Sequence, residues 1–352
     1  MLGALWNLLL FIIVLGVIVF IHELGHFTWA KIAGVYVYEF AIGMGPKIWG
    51  FKKGETEYNL RLIPIGGFCS MAGEDLELDK EEKIPKKRMM QSKSVWQRFL
   101  ILFFGPGNNF ILTIVLLFFI ALVWGGTTMN PVVSQVTEDY PAAKAGITSG
   151  DRLIEINGHK INNSDDAALY LAIANTKKEN SIKVVKPNGY EIDYKVQPKK
   201  VKEGKKTNYY FGIVMEQKRT HGVINAFKYT FLKFASLLKQ MVLTLKYLFT
   251  GGISLNQLSG PVGIYSVVGE QSKGGVQSIL FLIAYLSLNV GFLNLVPLPA
   301  FDGGHIFFLM IEAIRRKPVP PEIENKIHAI GLMLLLLLMA VITINDIIKL
   351  IF

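Results

Sequence analysis

The stretch Leu2 to Ile21, LGALWNLLLFIIVLGVIVFI, is an almost unbroken apolar run, and it leads straight into His22-Glu23-Leu24-Gly25-His26. A charged or hydrogen-bonding side chain at bilayer depth costs roughly 2.5 to 3.5 kcal/mol on insertion scales unless something compensates it. Ionisable groups in this position therefore need something to bind. On a helix, residues four apart share a face, so both imidazoles can reach one metal ion while Glu23 points beside it toward a water. This is the spacing of a zinc hydrolase, set into a membrane span.

The rest of the composition agrees with a membrane setting. The chain has 352 residues, 51% of them hydrophobic, in blocks long enough to make it a polytopic membrane protein. A signal peptide is the alternative for the opening block. It lacks a basic leading region, exceeds the usual apolar length, and cleavage near Ala30 would discard both histidines. The single cysteine, Cys69, excludes an internal disulfide and a thiolate zinc cluster, so the metal must use nitrogen and oxygen ligands. The net charge of +10 does not signal nucleic acid, because the basic residues form no compact domain with interleaved aromatics. Many lie between Lys47 and Arg98, beside membrane spans, where the positive-inside rule and anionic lipid account for them.

Four segments are long and apolar enough to cross: Leu5 to Ala30, Phe99 to Trp124, Val276 to Val296 and Ala329 to Phe352. That count puts both termini on one side. The loop from Lys47 to Arg98, with eleven Lys and Arg, and the loop with Arg315, Arg316 and Lys317 share the other, which is the cytoplasm. A further apolar stretch, Val223 to Phe249, is interrupted by Lys228, Lys233, Lys239 and Lys246 and is expected to lie at the interface as an amphipathic helix. If it crossed, Asp302 would emerge on the outer face, far from His22.

Two regions carry strand signals. The cytoplasmic loop begins with Lys47 to Phe51 and Tyr58 to Ile63 around Lys53-Gly54-Glu55, a hairpin expected to pack on the helices and to offer an edge to an extended peptide. Between spans two and three, residues 130 to 218 form a soluble insert. Its strands are expected at Val132 to Val136, Arg152 to Ile156, Ser181 to Val185, Tyr190 to Val196 and Tyr209 to Met215, with one helix capped by Ser164 or Asp165. The chain thus divides into a membrane core over 1–129, the insert over 130–218, and the interfacial helix with the remaining spans over 219–352.

Two histidines leave a catalytic zinc short of one protein ligand. Asp302 is the candidate, in Asn294-Leu295-Val296-Pro297-Leu298-Pro299-Ala300-Phe301-Asp302-Gly303. Two prolines break an apolar span there, and such backbone persists at membrane depth only when buried in protein or lining a water-filled cavity.

Together the two motifs resemble the site-2 protease family of intramembrane zinc metalloproteases, in the family's order and on either side of the insert. Tyr140-Pro141-Ala142-Ala143-Lys144-Ala145-Gly146, Gly150-Asp151-Arg152-Leu153 and Ile156-Asn157-Gly158 look like a PDZ domain. Gly105-Pro106-Gly107-Asn108-Asn109 and Ser259-Gly260-Pro261-Val262-Gly263 are similar to further family motifs. The insert has room for one PDZ domain where some members carry two.

The resemblance implies a polytopic α-helical protein with a membrane-associated β-hairpin and an inserted PDZ-like α+β domain, in a bacterial inner membrane. It implies Zn2+ held by His22, His26 and Asp302, Glu23 as catalytic base, and Asn109 and Asn294 as hydrogen-bonding partners of the peptide or its oxyanion. Its substrates would be single-span membrane proteins, pre-trimmed by another protease, among them anti-sigma factors and signal-peptide remnants.

Blander roles are assigned to the other candidates. His305 is expected to pack or support a ligand, His159 and His221 to face solvent, His328 to sit at the membrane interface, and Cys69 to be a small buried apolar residue. Two other functions compete: a PDZ adaptor with a structural metal ion, and a metal transporter, although the paired-repeat hydropathy of many transporters is absent.

Overall fold

A computed structural model describes residues 2–73, 84–203, 206–250 and 260–351; Ser259 and residues 74–83 of the basic loop lie outside the described residues. The helices are α1 (Leu2–Ile32), α2 (Val95–Trp124), α3 (Pro141–Ala145), α4 (Ser164–Ala172), α5 (Val223–Phe249), α6 (Pro261–Ser272), α7 (Gly275–Leu295), α8 (Asp302–Arg315) and α9 (Pro321–Ile351). Four of them are long and apolar enough to cross a membrane, over Leu5–Ile32, Val95–Trp124, Gly275–Leu295 and Glu322–Ile348. They coincide with the four expected spans, and the protein is a polytopic membrane protein with a β-rich domain.

The chain folds as two compact units, Met1–Leu116 with Leu255–Phe352, and Leu117–Ser254. In the first, Val14 and Ile18 of α1 pack against Ile283 of α7, and Thr113 of α2 donates to the carbonyl of Ala284 at 3.0 Å. A hydroxyl bonded to a backbone carbonyl joins helices where apolar packing brings no hydrophobic gain over lipid. Arg98, at the start of α2, forms a forked pair with Glu312 of α8. In contrast, only 6% of the α9 span is buried inside the protein. Its Asp346 accepts hydrogen bonds from the Gly260 and Gly263 amides at 2.7 and 2.9 Å, serving the exposed donors at the start of α6.

The loop between the first two spans forms two long strands, β1 (Val37–Lys53) and β2 (Thr56–Met71). They extend well beyond the expected segments because the chain folds back twice. Residues 39–42 lie between 57–60 on one side and 67–70 on the other. This corrects one expectation. Residues 58–60 also face 49–51, so the segment Tyr58 to Ile63 is largely an interior strand, and 67–70 has a strand partner on one side only among the described residues. The turn is tied down by Lys31 at 2.7 Å and Arg88 at 2.5 and 2.8 Å, both on Glu55. The bonded Arg88 guanidinium holds the Glu55 carboxyl down at about 2. Met44, Ile48, Trp49, Phe51 and Leu62 of this sheet are exposed.

In the second unit, β3 (Arg152–Ile156), β4 (His159–Lys160), β5 (Asn180–Val185) and β6 (Glu191–Val196) form a sheet in the order β4-β3-β5-β6. Val133 to Val136 pairs with Ile213 to Met215. Leu153, Ile156, Ile182 and Val184 form the buried centre. The expected strand from Tyr209 is split: Lys206–Tyr210 pairs with Lys199–Glu203, and Gly212 turns the chain at φ +84°. The α4 cap is Asn163, which accepts from the Asp166 amide at 2.8 Å, not Ser164 or Asp165. Those acids are used elsewhere. Lys233 and Ser236 of α5 reach Asp165 at 2.7 and 2.9 Å, and Lys239 reaches the buried Asp166 at 2.7 Å, so part of the basic face of α5 is spent on the insert.

Candidate active site

Helix α1 carries His22 and His26 on successive turns with Glu23 next to His22, and α8 begins on Asp302. The connection to α8 is irregular because Pro297 and Pro299 cannot continue α7. Ala300 adopts φ +75°, uncommon for a residue with a Cβ, and its amide donates to Nδ1 of His328 on α9 at 3.0 Å. Asp302 then occupies the first turn of α8, where the helix dipole favours a carboxylate.

The three side chains converge. His22 Nε2 lies 3.2 Å from His26 Nε2 and 3.2 Å from Asp302 Oδ2, while His26 Nε2 lies 3.5 Å from Asp302 Oδ1. Donor atoms around a tetrahedral zinc with bonds near 2.0–2.1 Å stand about 3.3–3.4 Å apart. The histidines are 9% and 6% exposed, and Asp302 Oδ2 is buried without a hydrogen-bond partner, a costly state for a carboxylate oxygen unless a cation completes it. His26 Nδ1 donates to the carbonyl of Ile101 at 2.8 Å, which leaves the Nε2 lone pair for an ion. Helix α2 presses on this ring at Gly105, where a Cβ would lie 2.2 Å from Nε2. The residues present therefore fit zinc: two imidazoles and one carboxylate, with a coordination position left for water or substrate.

Glu23 stands beside this group and accepts a hydrogen bond from the amide of Cys69 on β2. Gly67 of the same strand lies against its Cγ. Thus the hairpin, not another helix, sets where the carboxylate points.

The two asparagines part company. Asn294 is half-buried near the end of α7, and its amide has no hydrogen bond among the described residues. Asn109 is fully buried and sits 3.2 Å from Nδ1 of His22. Sequence reasoning also missed Ser287, a buried hydroxyl on α7 that donates to the Asn109 carbonyl at 3.0 Å. Its signal was a polar residue in an apolar span.

His305, Glu324 and His328 form a second group close enough to hold an ion. His328 is half-buried, and its ring stacks on His305 at 3.8 Å. Because its Nδ1 accepts from Ala300, its Nε2 carries the ring proton and has no lone pair to offer. That geometry rules out His328 as a metal ligand.

Apolar helices that enclose a two-histidine, one-aspartate metal group with an adjoining glutamate define a membrane-embedded metallohydrolase. The chain belongs to peptidase family M50, the site-2 proteases, whose sequence profile matches residues 10–338. It is 35% identical to the zinc metalloprotease RasP of Bacillus licheniformis over 96% of this chain and 97% of that protein. The regulator of sigma-W protease RasP of Bacillus subtilis is also 35% identical, over the same shares. A putative zinc metalloprotease of Clostridium perfringens is 38% identical over 94% of this chain and 95% of its own. The protein is a zinc metalloprotease.

Proposed function

We propose that this protease cuts single-span membrane proteins within the bilayer. The observation that carries the proposal is the position of His22, Glu23, His26 and Asp302 on membrane-type helices, in a group whose spacing suits zinc. When bound there, zinc supplies Lewis acidity to water and to the scissile carbonyl. Glu23 takes the proton of the attacking water and returns it to the leaving amine, its carboxylate held in place from β2. Asn294, with an uncommitted amide, hydrogen-bonds the peptide or its oxyanion.

The insert over 130–218 is a PDZ-like domain that selects substrates outside the cytoplasm. Both termini lie on that side, the basic hairpin loop is cytoplasmic, and the active site opens toward the cytoplasmic half of a bacterial inner membrane. Regulated intramembrane proteolysis is the process this serves, with anti-sigma factors or signal-peptide remnants, first shortened by another protease, as substrates. The B. subtilis relative is named a regulator of sigma-W, which supports the first of these. Co-expression with candidate single-span proteins tests the proposal: cleavage should appear with the wild type and vanish with Glu23→Gln. A Glu23-independent cut, or cleavage confined to soluble proteins, would remove it.

A further inference from the structure

The fully buried amide of Asn109 lies between two groups on different helices, Nδ1 of His22 at 3.2 Å and Oγ of Ser287 at 3.3 Å. The two ends of an amide have the same shape, so hydrogen bonding must decide which end faces which neighbour. The structure places the NH2 toward His22 and the oxygen toward Ser287, and in that orientation Nδ1 would accept. The ring proton would then sit on Nε2 and block the ligand position. Ser287 would also need its single hydroxyl hydrogen for both the Asn109 carbonyl, at 3.0 Å, and the side-chain oxygen. With the oxygen facing His22, Nδ1 is free to donate and Ser287 needs its hydrogen only once. Nδ1–H donates to the Asn109 oxygen, the amide NH2 donates to Ser287 Oγ, and the Ser287 hydrogen goes to the Asn109 carbonyl.

We propose that Asn109, oriented by Ser287, is a positioning residue that sets the tautomer and ring direction of His22 for zinc, and that it makes no contact with the peptide. The proposal rests on His22 being a zinc ligand. A chain of bonds then runs from α7 through α2 to α1, and each member is at most 9% exposed. The neighbouring ligand His26 is fixed differently, by a backbone carbonyl, so the two imidazoles have separate supports.

Zinc affinity of the purified full-length protein, measured by competition with a chromogenic chelator, tests this apart from activity. Asn109→Leu should bind zinc about 10- to 100-fold more weakly, the usual cost of losing such a support. Cobalt in the Leu variant should show an altered absorption spectrum. Asn109→Asp should restore affinity to within about threefold and recover cleavage, because a carboxylate accepts the same Nδ1–H. An oxyanion contact predicts the reverse: unchanged zinc affinity in both variants, and an Asp variant as inactive as the Leu one. That pattern overturns the proposal. Should the Leu variant not fold, Ser287→Ala, which frees the amide to rotate, should weaken zinc several-fold, and an unchanged affinity there would also count against it. A His22→Ala arm separates the two levels, since full zinc retention in it would refute the ligand assignment itself.

Discussion

At the scale of single residues, the site divides its labour among groups set by different neighbours. One zinc per chain is expected by elemental analysis, and a His22→Ala, His26→Ala double variant should lose it, because Asp302 alone cannot hold a tetrahedral ion. Glu23→Gln is nearly isosteric yet cannot accept a proton, so zinc content should stay at the wild-type level while cleavage falls by at least about 10²- to 10⁴-fold. The grouping of His22, Glu23 and His26 was legible in the sequence, since it depends on one helix and its periodicity. Asp302 was legible because two prolines beside it demand a special environment. The place of Asn109 was not. Which side chain its amide meets depends on how α1, α2 and α7 cross, and no periodicity within α2 specifies that.

At the scale of elements, the hairpin is the part whose presence was evident and whose pairing was not. Strand signals mark apolar, β-branched segments between turns, but residues 39–42 and 67–70 pair across a separation that no local pattern encodes. The consequence concerns Glu23, the proposed catalytic base. A Cβ at Gly67 would stand 2.8 Å from the Ala41 carbonyl, 2.9 Å from Val19 Cγ1 and 3.3 Å from Glu23 Cγ. Gly67→Ala must therefore shift the strand or the glutamate. Cleavage should drop on the order of 10²-fold, the scale set by a displacement of about 1 Å, while zinc stays bound. A variant that loses zinc and activity together would show that the strand supports the whole metal group instead.

At the scale of the molecule, the four spans could be counted from hydropathy, and the sidedness proposed above rests on the basic loops. Lys144, exposed on the insert, should react as Lys144→Cys with an impermeant reagent on intact cells in a Cys69→Ser background. Reaction only after the membrane is breached would invert the topology. The loosely embedded last helix carries a different implication. Most of the α9 surface faces outward, yet its His328 grips Ala300, two residues before Asp302. A helix embedded this loosely can tilt to match the hydrocarbon thickness around it. Bilayer thickness thereby becomes a mechanical input to the metal group. Proteoliposomes of graded acyl-chain length should give turnover that peaks at one length, and His328→Leu should flatten that peak.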